Sequence, residues 1–167
     1  HGFDLRHRQE SGKKAADIAV ALLDAGAVKG GKMHAVLDPE LAGVFAHEAV
    51  GHASEGDLIQ EGNSVLKGKT GEKIGNEILT IVDDPTLCEF GFDPVDAEGT
   101  AVKRTEIIRR GVVSAFLHNR ESLAAVGNGI AGHARAMPGE PPLVRMSNTF
   151  IENGDASKAE IFAECKN

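Results

Sequence analysis

The chain has 167 residues, enough for one domain with a real core or for part of a larger protein. Its formal net charge of -7, with no Trp or Tyr and only seven Phe, argues against a nucleic-acid partner on both electrostatic and stacking grounds. Two cysteines, Cys88 and Cys165, form no CxxC pair and read as free thiols of a reducing compartment. The longest clean apolar run, Ile18 to Leu23, is far too short to span a bilayer, and nothing like a signal peptide precedes it, so no membrane partner is expected and the cytoplasm is the expected location. The chain starts at His1 rather than Met and is expected to be a piece of something longer.

In chain order, Gln9 to Ala25 carries Ala15, Ile18, Ala19, Leu22 and Leu23 at helical spacing, with Gly26 as a stop. Gly30-Gly31 is a turn, and Met33 to Leu37 reads as a short strand. Asp38-Pro39-Glu40 then combines an N-cap residue, a proline at the first helical position and an acid in the first turn. The helix it starts is expected to extend to Gln60 or Glu61. Gly62 to Gly75 reads as an exposed loop, Ile78 to Val82 as a strand, and Cys88 to Gly99 as irregular. Arg104 to Ile108 and Val112 to Leu117 are β-prone runs joined by Arg109-Arg110-Gly111, a hairpin signal. Ser122 to Val126 reads as a short helix, Gly127 to Pro142 as an extended loop, Val144 to Ile151 as a strand, and Ala156 to Cys165 as a terminal helix. Early helices and later hairpins give an α+β fold, with antiparallel hairpins packed on the motif-bearing helix: residues 1–62 a helical segment, residues 63–167 mainly β.

The chemistry concentrates in His47-Glu48-Ala49-Val50-Gly51-His52, an HExxxH run followed by Glu55 and Asp57. Neutral imidazoles suit zinc, and a glutamate directly after one ligand can reach a water at an open coordination position and take its proton. The spacing is unusual. Residues four apart on an α-helix are separated by roughly 40° and share a face, whereas residues five apart are separated by about 140°. A π-type turn brings i and i+5 closer, and Gly51 is where such a distortion is easiest, so the pattern predicts a π-bulge between His47 and His52.

The run Gly43 to His52, continuing through Glu55-Gly56-Asp57, resembles the signature of the TldD/PmbA family of peptidases. The likeness continues through Val82-Asp83-Asp84-Pro85, Asp96-Ala97-Glu98-Gly99-Thr100, Phe116-Leu117-His118-Asn119-Arg120, Gly127-Asn128-Gly129 and Arg145-Met146-Ser147-Asn148-Thr149. These blocks fall in family order across nearly the whole chain. The resemblance is to the TldD-like subunit, which keeps HExxxH. It implies His47 and His52 as zinc ligands and Glu48 as the catalytic base. It places the third ligand at a downstream cysteine that neither Cys88 nor Cys165 matches, so the chain is expected to be a central fragment lacking the family's N-terminal domain and C-terminal end. The implied function is zinc-dependent hydrolysis of unfolded or flexible peptides, including leader-peptide maturation. The implied assembly is a homodimer or a heterodimer with a PmbA-like subunit. The fragment alone is expected to bind zinc weakly and to show little or no peptidase activity.

Other residues keep two readings each. Glu55 and Asp57 either orient the histidine N–H groups or sit on a solvated helix end. Asp96, Glu98 and Thr100 line a cleft or form a charged turn. His118 and His133 are spare ligands or, by the commoner reading, surface and loop residues. Arg145 and Asn148 bind peptide backbone or make structural hydrogen bonds. Gly127 to Gly132 lacks the Lys-Ser/Thr of a phosphate loop, which discounts nucleotide binding. Two other functions fit less well: a non-catalytic regulator of the gyrase-modulator type, which would have no need of a base beside a ligand, and a metal hydrolase of a non-peptide substrate.

Overall fold

The structure, a computed structural model, describes residues 10–165. Helix α1 (Ser11–Leu23) follows its apolar spacing but is capped at Asp24, before Gly26 is reached, and none of its residues is buried. The strand expected at Met33 to Leu37 is not formed. No described segment pairs with it, and without a ladder to join, its backbone polar groups are left to solvent.

Helix α2 (Pro39–Ala46) starts where Asp38-Pro39-Glu40 requires. Asp38 is extended and its Oδ1 accepts the Leu41 N–H at 2.8 Å, a cap worth about 1 kcal/mol. The helix passes directly into a π turn, His47–Gly51, and then a 3-10 turn, His52–Ser54. It does not run unbroken to Glu61. Glu55 leaves helical geometry at φ -64°, ψ 121° and bridges in parallel to Leu117. Ser54 Oγ donates to the Gly51 carbonyl at 2.7 Å, which closes the turn. Helix α3 (Gly56–Glu61) then starts anew and stops at Gly62, whose φ of 83° places it in the left-handed C-cap conformation.

The strands are β1 (Ile81–Asp83), β2 (Thr105–Arg109), β3 (Val112–Val113), β4 (Phe116–His118), β5 (Gly129–Ala131), β6 (Ala134–Arg135), β7 (Leu143–Val144) and β8 (Thr149–Ile151). Helix α4 (Arg120–Val126) lies between β4 and β5, and α5 (Lys158–Glu164) follows β8 with a Ser157–Glu160 capping box. Four strands make an antiparallel sheet in the order β3-β2-β1-β8. The hairpin signal at Arg110-Gly111 is realised, with φ of 49° and 78° giving the two left-handed residues of a tight β2–β3 turn.

Three expectations shift here. The run Val112 to Leu117 divides, because after β3 the chain turns away and β4 pairs in parallel with β5. The stretch expected as a loop after Gly127 therefore contains β5 and β6, the latter pairing with β7. Val144 to Ile151 divides into β7 and β8, since Ser147 and Asn148 turn their polar groups toward Asp83 and the 84–91 loop instead of a ladder.

The core gathers Ile81, Ile107, Ile108, Val113, Phe116, Leu117 and Val144, joined by Ala46 and Met146 from the two sides of the π turn. The α+β class expected from the sequence is the one observed. Among the described residues no helix is long and apolar enough to cross a membrane.

Candidate metal centre

The π turn brings His47 and His52 together as the spacing required. Their ring centroids are 4.7 Å apart with the planes at 85°. One ligand atom from each of His47, Glu48 and His52 lies within 4.8 Å of the others, and this is the one such group of three among the described residues. The span is a little wider than twice a zinc–nitrogen bond of about 2.0–2.1 Å, so small side-chain rotations would close the donors on one cation. Two imidazoles with an adjacent carboxylate form a donor set that suits zinc. Cys88 is exposed and Cys165 is partly buried, and neither joins the group.

Gly51 is needed for space. A Cβ there would stand 1.9 Å from Met146 Sδ, so the π turn can rest on Met146 only with glycine at this place. Gly56 is seated in the same way against His118, where an added Cβ would lie 2.1 Å from Nδ1. His118 is therefore no surface histidine. It is wholly buried, with Nδ1 3.0 Å from Ser122 Oγ and Nε2 3.0 Å from the Gly127 carbonyl oxygen. Burial pushes its pKa below the ordinary 6.5, partly opposed by the backbone groups of Gly127 and Asn128.

Glu55 is buried as well, which removes the solvated reading of that helix end. Its Oε1 lies 3.1 Å from His52 Nδ1, and its Oε2 accepts from Arg145 Nη1 at 3.2 Å. Burial raises the Glu55 carboxyl above its ordinary 4.5, with Arg145 and His52 acting against that rise. Asp57 does not reach a histidine. It accepts the Leu58 N–H at 2.8 Å and the Val144 N–H at 3.0 Å, tying α3 to β7.

A cleft of about 580 Å³ opens beside the centre. Gly43, Val44, His47 and Glu48 form one side, while Leu87, Glu89 and residues Ser147 to Phe150 form the other. The far wall is anchored by Asp83. This wholly buried carboxylate accepts from Ser147 N–H at 2.8 Å, Ser147 Oγ at 2.5 Å and Thr149 Oγ1 at 2.6 Å. Burial would push its pKa up, but the approach of His133 and the two hydroxyls outweigh that and hold it below 3.8. His133, expected at the surface, is buried with Nε2 3.4 Å from Asp83 Oδ2, outside hydrogen-bond geometry.

Asn148 is a structural hinge-pin of the cleft. It accepts the Gly91 N–H at 2.7 Å and donates to the Asp84 and Leu87 carbonyls at 3.0 and 3.1 Å. Arg145 donates to the Val144 carbonyl at 2.8 Å in addition to its bond with Glu55. Asp96 forms a turn, accepting from Glu98, Thr100 and Ala134 N–H groups, and Glu98 accepts the Arg120 N–H at the start of α4. No short-range signal could have found the Glu55–Arg145 and Asp83–Ser147 pairings, whose members lie far apart in sequence.

Comparison with known proteins agrees with this geometry. Residues 30–167 match the profile of the PmbA/TldA metallopeptidase C-terminal domain. A metalloprotease of Methanothermobacter thermautotrophicus is 44% identical over 169 residues, covering 99% of this chain and 37% of the relative. A zinc metalloprotease TldD homolog of Saccharolobus solfataricus is 36% identical over 141 residues, covering 83% of this chain and 31% of the relative. The crystal structure of a protein from Thermotoga maritima, described as a putative modulator of a DNA gyrase, superposes with a TM-score of 0.74 at 28% identity, covering 91% of this chain and 34% of that one. The chain thus spans about a third of the length of these relatives. By the profile match, the shared blocks and the HExxxH-bearing π turn, it belongs to the TldD/PmbA family of metallopeptidases.

Proposed function

We propose that this chain forms the metal-binding and water-activating part of a zinc-dependent peptidase. The observation that carries the reading is the convergence of His47, Glu48 and His52 donor atoms within 4.8 Å, brought about by the π turn at the mouth of a cleft. His47 and His52 would hold zinc through one neutral ring nitrogen each, with the third protein ligand supplied by a cysteine beyond residue 167. Bound there, zinc supplies Lewis-acid polarisation of the scissile carbonyl and makes water acidic near neutral pH. Glu48 is exposed beside the cleft, where its carboxylate takes a proton from the attacking water and returns it to the leaving amine nitrogen.

The cleft favours an extended, flexible substrate. It is a trough between α2 and the segment leading into β8, the last strand of its sheet, and an extended peptide can lie along such a strand. Folded proteins present few such segments, which fits unfolded peptides and leader segments as substrates. Work in the cytoplasm and a dimer with itself or with a PmbA-like subunit complete the reading. The name of the Thermotoga relative points to a regulatory role instead, but a binding protein has no use for Glu48 beside a ligand pair.

The test is a peptidase assay on the full-length protein with zinc content measured in parallel. Glu48→Gln is expected to keep stoichiometric zinc and lose activity by about 10²–10⁴-fold, the usual contribution of a general base. Full activity in Glu48→Gln would overturn the assignment of the base. Activity on ester or phosphoester substrates alone would redirect the function to a non-peptide hydrolase.

A further inference from the structure

We propose that Glu55, held by Arg145, is a positioning residue that fixes His52 as the Nδ1–H tautomer and so commits Nε2 of that ring to the metal. This inference rests on His52 being a ligand, as argued above. The chain breaks its helix at Glu55, with ψ of 121°, and the side chain is left 2% exposed. Such a placement is costly for a carboxylate unless specific donors meet it. Two do. Oε1 faces His52 Nδ1 at 3.1 Å and Oε2 faces Arg145 Nη1 at 3.2 Å. The guanidinium favours the ionised carboxylate, and an ionised carboxylate can only accept. Nδ1 of His52 must then carry the proton, which leaves Nε2 of the neutral ring with the lone pair. Free histidine side chains favour the opposite tautomer, so the protein is selecting a state.

The arrangement also sets the direction of the ring. With Nδ1 turned back toward Glu55 and the ring edge-on to His47, the free nitrogen is aimed away from the buried side. The bridge from Glu55 to Leu117 holds the backbone at this place, and Arg145, next to β7, holds the carboxylate from above. Three separate parts of the chain thus converge on one imidazole: the π turn, β4 and the strap between β7 and β8.

The experiment uses full-length, metal-free protein with ¹⁵N-labelled histidine, followed by zinc titration against a chromophoric chelator. His52 is expected as Nδ1–H in the metal-free wild type. Glu55→Gln offers both a donor and an acceptor to the ring, so it should release the tautomer bias and weaken zinc binding about 10–100-fold. Arg145→Gln, made at a half-exposed position that does not threaten folding, should weaken zinc binding in the same direction while leaving Glu55 in place. A Co²⁺-substituted Glu55→Gln protein should show a shifted visible absorption spectrum, which a purely structural role would not produce. His52 resting as Nε2–H in the wild type would overturn the proposal, as would zinc affinity unchanged in both variants. If the wild type takes up no zinc at all, the peptidase reading falls with it; if the wild type binds zinc and Glu55→Gln binds it equally well, only the role of Glu55 falls.

Discussion

The Cα of Gly56 lies so close to the ring of His118 that a methyl group on it would meet Nδ1 at 2.1 Å and the Leu117 carbonyl oxygen at 2.7 Å. The ring is buried and fixed by Ser122 and Gly127, and the carbonyl is backbone, so neither neighbour can yield cheaply. Gly56→Ala is therefore expected to destabilise the protein by about 1–3 kcal/mol, the usual cost of overpacking. Gly43→Ala provides the contrast. It is a helical glycine with nothing within 4 Å of its missing Cβ, and the change should stabilise by about 0.5–1 kcal/mol. Urea midpoints of the two variants check the pair, and equal midpoints would contradict the packing described.

Stability should fall in two acid steps. His118 has its pKa lowered by burial, so the unfolded chain binds more protons than the folded one below the ordinary 6.5, and stability declines as pH drops through that value toward the folded pKa. Asp83 is also depressed, despite burial, by His133, Ser147 and Thr149. Its contribution is present above 3.8 and is lost as pH falls from there through the folded value. Chemical denaturation measured from pH 8 to pH 3 should show both slopes. His118→Gln should flatten the upper one and leave the lower intact; a single step below pH 4 in the wild type would argue against a neutral buried imidazole.

Asn148 closes the 84–91 loop onto the cleft with one accepted and two donated hydrogen bonds. Asn148→Ala leaves the Gly91 N–H and two carbonyls without that partner, at about 1–3 kcal/mol of stability. Amide exchange at Gly91 should accelerate. In the full-length enzyme KM should rise more than kcat falls, because the cleft wall is loosened while Glu48 is untouched.

Metal removal should separate the whole protein from this piece of it. A chelator is expected to lower the Tm of full-length protein, since bound zinc stabilises by mass action. Residues 1–167 alone, with His47 and His52 but no third protein ligand in the group, should bind zinc weakly, respond little to chelator and hydrolyse no peptide at a useful rate. Tight stoichiometric zinc on the short chain, measured by equilibrium dialysis, would mean that the ligand set is complete without a downstream cysteine.

The local signals carried well where the physics is local. Asp38-Pro39-Glu40 specified the start of α2, Arg110-Gly111 the hairpin turn, and the five-residue spacing of His47 and His52 the π turn. What was not legible was decided by distant partners. Glu55 and Asp57 looked alike in sequence, yet one faces a histidine and the other a strand backbone, because only the arrival of Arg145 and Val144 tells them apart. His118 and His133 read as surface residues because no neighbour in sequence signals their burial. Met33 to Leu37 had the composition of a strand but found no described edge to join. The parallel β4–β5 pair was hidden because its crossover is the short helix α4 rather than a tight turn.

The π turn has a consequence for how this metal helix can change. Deleting one residue between His47 and His52 would restore the commoner four-residue spacing and keep both imidazoles on one face. It would also rotate everything downstream by about 100°, the angular step of a helical residue. Ser54 would lose the Gly51 carbonyl, Glu55 would swing off the ring of His52, and Gly56 would no longer present its bare α-carbon to His118. An insertion or deletion inside the motif is therefore not a neutral respacing: the loop count between the two histidines is locked by what the following four residues must touch.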